Sequence, residues 1–432
     1  MTSRGPGRSS IRWYILALLF AASFVAYLLR TNMSITGTPM MTDLGLSLGQ
    51  LGWIMAANAW AYAIFQFPGG VFGNRIGARR CIAIAAVLWG VFTLLIGFVP
   101  AAGMASPAVI LGWLIVVRAL LGASVAPLYP VTGGAMTCAW FPVTGWAFPN
   151  SVGNAGLTFG SAAAGPFIAW MMETFGWRQS YLYTAPIAFL LAVVWWWYAR
   201  DTPDEHPDVR EDELALIDAG RPEFARVVPT PGAWRVVLRD KDVLMLAVSY
   251  FCSNYVFYFF LTWLFIYLVN ERGFKILEGG FYSAVPWMMG AVGALIGGVL
   301  CDALSKRMGL GRGCRIPAMA GLLLAGGCIF AAATAVNPLA AVALLSLCLA
   351  FQQMAEGAFW AATIAVSGRY SSSACGVLNT GGNAVGGIVA IVVPMTVASV
   401  GWPAALATAA AMAALGAALW LGVRADKKFV AA

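Results

Sequence analysis

Apolar runs, each about as long as a bilayer-crossing helix, follow one another along nearly the whole chain. They lie near residues 12–34, 50–72, 81–100, 106–130, 147–172 and 178–199, then near 243–270, 280–303, 315–335, 338–366, 375–400 and 402–424. A helix needs about 20 apolar residues to cross the hydrocarbon core, so the pattern predicts twelve spans. A single hydrophilic stretch, 201–242, divides them six and six. The expected organisation is a six-helix unit over 1–200, a linker over 201–242 and a second six-helix unit over 243–432. Composition excludes a soluble alternative. Of the 432 residues, 61% are hydrophobic and 10% charged, against about 45–50% and about 25% in soluble domains.

The first apolar run follows a basic start, as in a secretory signal, but it continues to Arg30, past any plausible cleavage site. An uncleaved first span is expected. Basic residues then alternate from loop to loop. Arg4, Arg8 and Arg12 precede span one, and Arg75, Arg79 and Arg80 follow span two. Lys306, Arg307, Arg312 and Arg315 follow span eight, Arg369 span ten, and Arg424, Lys427 and Lys428 span twelve. The opposite loops hold little beyond Arg178, Arg272 and Lys275. By the positive-inside rule both termini and the linker are cytoplasmic. The net charge of +8 is spread over loops, with no basic patch interleaved with aromatics, so nucleic acid is not an expected partner. The eight cysteines lie in or beside apolar runs without metal-ligand spacing and read as packing residues.

The chain also repeats itself. GGVFGNRIGARR, from Gly69 to Arg80, ends span two, and GGVLCDALSKR, from Gly297 to Arg307, ends span eight. These are corresponding places in two six-helix halves, and parallel repeats of this kind build one class of secondary transporter. The first copy, with Gly70, Asn74, Arg75, Gly77, Arg79 and Arg80, resembles the signature loop of the major facilitator superfamily. YLLRTNMS, RALLGASVAP, WFP, GWR, RDTPDEHPDVREDEL, TWLFIYL and CGVLNTGGNAVGG are similar to segments of its anion:cation symporter branch, which carries sugar acids and other organic anions. The resemblance implies an all-α integral membrane protein of the major facilitator fold, twelve transmembrane helices in two pseudo-symmetric halves. It also implies alternating access, a monomer in the inner (cytoplasmic) membrane, and proton-coupled uptake. Two positions depart from the family. Leu29 stands where an acid often precedes the span-one arginine, and Val125 replaces the span-four glutamate. Those acids are the family's usual proton carriers, so coupling does not simply carry over.

Three charged residues stand mid-span: Arg30, Arg118 and Glu356. A charge at the bilayer centre costs at least about 2.5–3.5 kcal/mol, so such residues face a wet cavity or a partner. In the family, spans one, four, seven and ten line the central cavity, and all three fall on that set. Arg30 reads as a carboxylate clamp, because a guanidinium can donate two parallel hydrogen bonds; a structural pair or a snorkelling arginine is the alternative. Arg118 matches a charge-network position and reads either as a pairing residue or as a substrate contact. Glu356 has two open readings, a proton site that competes for an arginine with the substrate, or a permanent salt bridge to Arg30 or Arg118. If Glu356 alone carries a proton, a monovalent anion would move electroneutrally.

Polar residues recur at helical spacing beside these charges: Asn58, Tyr62 and Gln66; Asn150, Asn154 and Thr158; Tyr250, Asn254 and Tyr258; Gln352, Glu356 and Trp360; Asn379 and Asn383. Side chains four residues apart share a helix face, and polar faces do not turn to lipid. Arg30, Tyr27, Tyr62, Asn154, Asn254, Tyr258, Gln352, Asn379 and Asn383 are therefore the candidate substrate ligands. The Gly70–Arg80 loop, with Asp302 in the second copy, reads as a conformational latch. The acidic stretch from Asp201 to Glu223 reads as a solvated linker with a short helix around Glu213–Ile217, and His206 within it as no proton relay. A drug exporter is the second hypothesis, although Ser161, Ala169 and Trp170 replace glycines of the exporter motif around Gly165-Pro166. A facilitator, an anion exchanger and a transporter-fold sensor remain as further alternatives. An enzyme is not expected, since there is no nucleophile with a base, metal cluster or phosphate loop, and no cofactor is implied.

Overall fold

The computed structural model describes residues 11–142, 147–218, 236–367 and 371–424. Arg4, Arg8, Glu223, Arg369, Lys427 and Lys428 lie outside them. The described residues form twelve long helices: α1 (Ile11–Leu44), α2 (Leu48–Ile76), α3 (Ala78–Gly97), α4 (Pro107–Trp140), α5 (Ala147–Phe175), α6 (Trp177–Tyr198), α7 (Lys241–Thr262, continued by Leu264–Asn270), α8 (Ile276–Met308), α9 (Leu310–Thr334), α10 (Pro338–Ser367), α11 (Ser371–Val400) and α12 (Trp402–Leu419). Ten of them are long and apolar enough to cross a bilayer; α2 and α5 fall short. These two carry polar stripes from the sequence reading, and both spend a face on the other half of the molecule.

Local chemistry sets the helix starts. Ser47 and Gln50 form a reciprocal capping box at α2. Asp240 and Asn337 accept the first free N–H groups of α7 and α10, and Ser106 does so for α4 before Pro107 at its first turn. The tight links α2–α3, α5–α6, α8–α9 and α11–α12 each turn on one glycine of positive φ: Gly77 at 89°, Gly176 at 92°, Gly309 at 82° and Gly401 at 93°. These are corresponding junctions of the two halves, so the repeat read from the sequence is a repeat of backbone geometry. Only glycine adopts this conformation without a steric penalty. The second copy differs in one respect. Gly77 lies eight residues after Gly69, while Gly309 lies twelve after Gly297, so α8 runs about one turn further before turning.

The halves meet along α5 against α8 and α2 against α11, through backbone brought close by small residues, as membrane helices pack. A side chain at Gly165 would collide with the Gly280 carbonyl, and one at Gly52 with the carbonyl of Ala390. Thr38 donates to Asn270 (3.4 Å), and Leu277 N–H donates to Glu173 (3.1 Å). These contacts gather at the end of the molecule away from the termini. Toward the terminal end Tyr129 is 42% exposed and Gly153 and Gly376 have open space beside them.

The linker corrects one expectation. Its first part is docked on the N-terminal half instead of solvated. The short helix Glu211–Asp218 turns a buried Glu213 carboxylate toward the start of α1, where it accepts N–H groups of Ile11 (3.3 Å) and Arg12 (3.2 Å). His206 is buried between the rings of Trp140 and Tyr198. The sequence showed a charged segment but not the exposed donors at the first turn of α1 that draw a carboxylate in.

Candidate functional site

Arg30, midway along α1, is 7% exposed and ringed by tyrosines. Its guanidinium lies 4.7 Å from the Tyr62 ring centre on α2 and 5.4 Å from those of Tyr27 and Tyr258. It donates to the Tyr258 hydroxyl (3.0 Å) and, more weakly, to that of Tyr27 (3.4 Å). Tyr258 in turn donates to Asn383 Oδ1 (2.8 Å), whose amide N–H reaches Asn379 Oδ1 (3.0 Å) and Gln66 Oε1 (3.4 Å). A polar chain thus runs from α1 through α7 and α11 to α2, crossing twice between halves. Aromatic faces attract the cation without neutralising it, so its full charge stays available to an anion. The structure therefore brings together six of the expected ligands: Arg30, Tyr27, Tyr62, Tyr258, Asn379 and Asn383.

Three others are placed elsewhere. Gln352 is buried and donates to Ser253 on α7 (3.0 Å), an interhelical contact. Asn254 returns its amide to the carbonyl of Tyr250 one turn back (3.0 Å). Asn154 lies half-buried on α5, outside this hydrogen-bonded chain.

Glu356 opens the second segment of α10, just after the helix breaks at Ala355. Its carboxylate accepts from the Tyr250 hydroxyl (2.7 Å) and the Trp360 indole (2.8 Å). Among the described residues no ion pair joins it to an arginine, so the salt-bridge reading gives way to a neutral aromatic cradle. The competition of substrate and Glu356 for one arginine goes with it. Tyr250 and Tyr258 are eight residues apart on α7, which offsets Glu356 from Arg30 by about 12 Å along that helix. Arg118 is 3% exposed, its carbonyl accepting the Asn58 amide N–H (3.0 Å) and its guanidinium without an acid partner among the described residues.

Tyr129 was missed. It stands on α4, exposed at the terminal end of the molecule and within electrostatic range of Glu356 and Tyr27. Its signal was present, since it lies eleven residues, about three turns, beyond Arg118 and so on the same face.

In the signature loop, Arg79 donates from Nε (2.9 Å) and Nη2 (2.6 Å) to the Trp196 carbonyl at the end of α6, and its N–H donates to Asp201 (2.7 Å). Asp201 fills the space a side chain at Gly77 would take. All these partners belong to the same half or its linker. Gly70 packs beside Pro130 of α4, while Asn74, Arg75, Arg80 and Asp302 are exposed.

A model of the Major Facilitator Superfamily matches residues 19–348. The chain is 33% identical to a probable galactarate/D-glucarate transporter, GudP, of Bacillus subtilis, over 73% of this chain and 70% of that one. It is 30% identical to a probable sulfoacetate transporter, SauU, of Cupriavidus necator, over 89% and 87% of the two chains. Among solved structures, a bacterial homologue of the human lysosomal transporter Spinster superposes with a TM-score of 0.75 at 17% identity, covering 98% of each chain.

Proposed function

This chain belongs to the Major Facilitator Superfamily, a multi-pass membrane transporter and not an enzyme, and from that premise we propose that it carries a small organic anion by alternating access, its carboxylate held by Arg30. The observation that carries this reading is the guanidinium itself: buried where both halves meet, surrounded by tyrosines and free of any acid partner among the described residues. A planar donor pair suits a carboxylate, while the tyrosine and asparagine groups around it suit hydroxyls. The relatives' sugar acids and sulfoacetate are anions of this size.

With the contacts between halves gathered at the end away from the termini, and basic loops assigning the terminal end to the cytoplasm, the site opens inward. Closure of that end would bring the exposed Arg75 and Arg80 toward the second half, the latch role proposed for the signature loop with Asp302. Uptake across the cytoplasmic membrane with one proton on Glu356 is the direction and coupling we propose, by a monomer. Among the described residues Glu356 bonds a phenol and an indole and no cation, so it can gain or lose a proton without breaking an ion pair there.

The test is uptake of a panel of labelled organic anions into proteoliposomes, with and without an inward pH gradient. Unchanged labelled substrate inside, faster with the gradient, is the expected result. Uptake indifferent to the gradient would make the protein a facilitator or exchanger, and no uptake of any anion would overturn the reading in favour of an exporter.

A further inference from the structure

Arg79, near the start of α3, and Arg200, just past the end of α6, stand at the head of one groove on the outer face of the N-terminal half. On α3, Arg79, Ala83 and Val87 follow at intervals of four; on α6, Phe189, Val193 and Trp196 lead up to Arg200 at intervals of three or four. Each helix therefore turns one side to the groove. Away from the arginines the lining is apolar, and the groove encloses about 780 Å³. A second groove of about 260 Å³ lies between α2, α3 and α4, with Phe65, Phe72 and Pro127 in its walls, and shares Ile84 and Leu88 with the first. These two side chains form a ridge with a channel on either side. From Arg79 to Leu88 is about 14 Å of helix, close to half of a hydrocarbon core about 30 Å thick.

The charge at the head of the groove keeps donors to spare. Arg79 gives Nε and Nη2 to the Trp196 carbonyl, and Arg200 gives Nη1 to the carbonyls of Trp197, Tyr198 and Ala199. Asp201 turns a carboxylate oxygen to the backbone N–H of Arg79 (2.7 Å), and among the described residues neither guanidinium joins an ion pair. Trp196 and Trp197 are exposed beside the arginines, as tryptophans at headgroup depth are. The groove begins at the end that the basic loops assign to the cytoplasm, where the leaflet carries anionic lipid. We propose that it seats one anionic glycerophospholipid of that leaflet, the phosphate against Arg79 and Arg200 and the two acyl chains on either side of the Ile84–Leu88 ridge. A zwitterionic headgroup would bring an ammonium toward two cations, so the anionic class is selected. A lipid seated this way joins α2, α3 and α6 beside the signature loop.

The experiment uses the purified full chain in detergent without any transported anion, so its outcome is independent of the transport reading. Phosphatidylglycerol and phosphatidylcholine with identical acyl chains are offered at equal concentration, and bound lipid is read by native mass spectrometry. The expected result is one phosphatidylglycerol per chain, retained in at least about fivefold excess, since each arginine near an anionic headgroup is worth about that factor. In Arg200→Gln its affinity should fall about fivefold. Val193→Trp fills the groove from an exposed position, so the fold is expected to survive; it should lower retention as much, and decides the matter should Arg200→Gln fail to fold. Equal retention of the two lipids would overturn the proposal, as would retention unchanged in either folded variant. So would a lipid-free dimer that Val193→Trp dissociates, because the groove would then belong to a second copy of the chain.

Discussion

Replacing Glu356 by glutamine isolates the electrostatic link between the two clusters of the central site. The substitution keeps an oxygen to accept from Tyr250 and Trp360, both within 2.8 Å of the carboxylate, so the fold is expected to survive. The charge goes. Two unit charges about 12 Å apart at an effective dielectric constant of about 20 interact by about 1.4 kcal/mol, a factor of about ten in affinity. An anion at Arg30 and an ionised Glu356 repel, so substrate binding favours the protonated acid, and by reciprocity the protonated acid favours substrate to the same degree. In the wild type, affinity for the transported anion should rise up to about tenfold as pH falls through the titration of Glu356. In Glu356→Gln it should stay at the tight, low-pH level throughout. Calorimetric titration of the purified protein between pH 5 and 8 measures both. A mutant with the wild-type pH slope, or a wild type with none, would refute the placement of coupling on Glu356.

Arg30→Lys keeps the charge but loses the planar donor pair, and is expected to raise KM for uptake at least tenfold, while Tyr258→Phe, removing the bonds to both Arg30 and Asn383, should cost about 2 kcal/mol, roughly thirtyfold in KM. Gly165→Leu overpacks the contact with Gly280 and Ser283, worth about 1–3 kcal/mol; cross-linking between Thr38→Cys and Asn270→Cys, whose native side chains are 3.4 Å apart, should fall as that end opens. Glu213→Ala strips two N–H groups of α1 of their acceptor and should destabilise the folded chain by about 1.5–3 kcal/mol, read as a lower melting temperature. Burial pushes the pKa of His206 below its usual value, against the pull of Asp208; linker docking is therefore complete above the unfolded-state pKa of about 6.5 and lost as pH falls toward the lowered one. Proteolysis of the linker should accelerate below about pH 6, and His206→Gln should remove that dependence.

Span number, the two halves and the mid-membrane charges were legible in the sequence, because hydropathy and loop charge are local quantities that the bilayer forces on any spanning chain. The polar stripes were legible for the same reason: Tyr62 and Gln66, or Asn379 and Asn383, share a face by helical spacing alone. Spacing could not say which stripes meet. Gln352 reads like Asn383 along the chain, yet one is spent on Ser253 and the other joins Arg30 through Tyr258. Glu356 was expected beside an arginine because opposite charges attract. The crossing of α7 and α10 instead placed Tyr250 against it, beside Trp360 one turn along α10 itself, and left Arg118 without an acid partner among the described residues. The sequence alone determined which groups the membrane would force inward. Only the packing of helices from both halves decided their partners, because a hydrogen bond requires about 3 Å and that distance is set by backbone contacts far from the groups it joins.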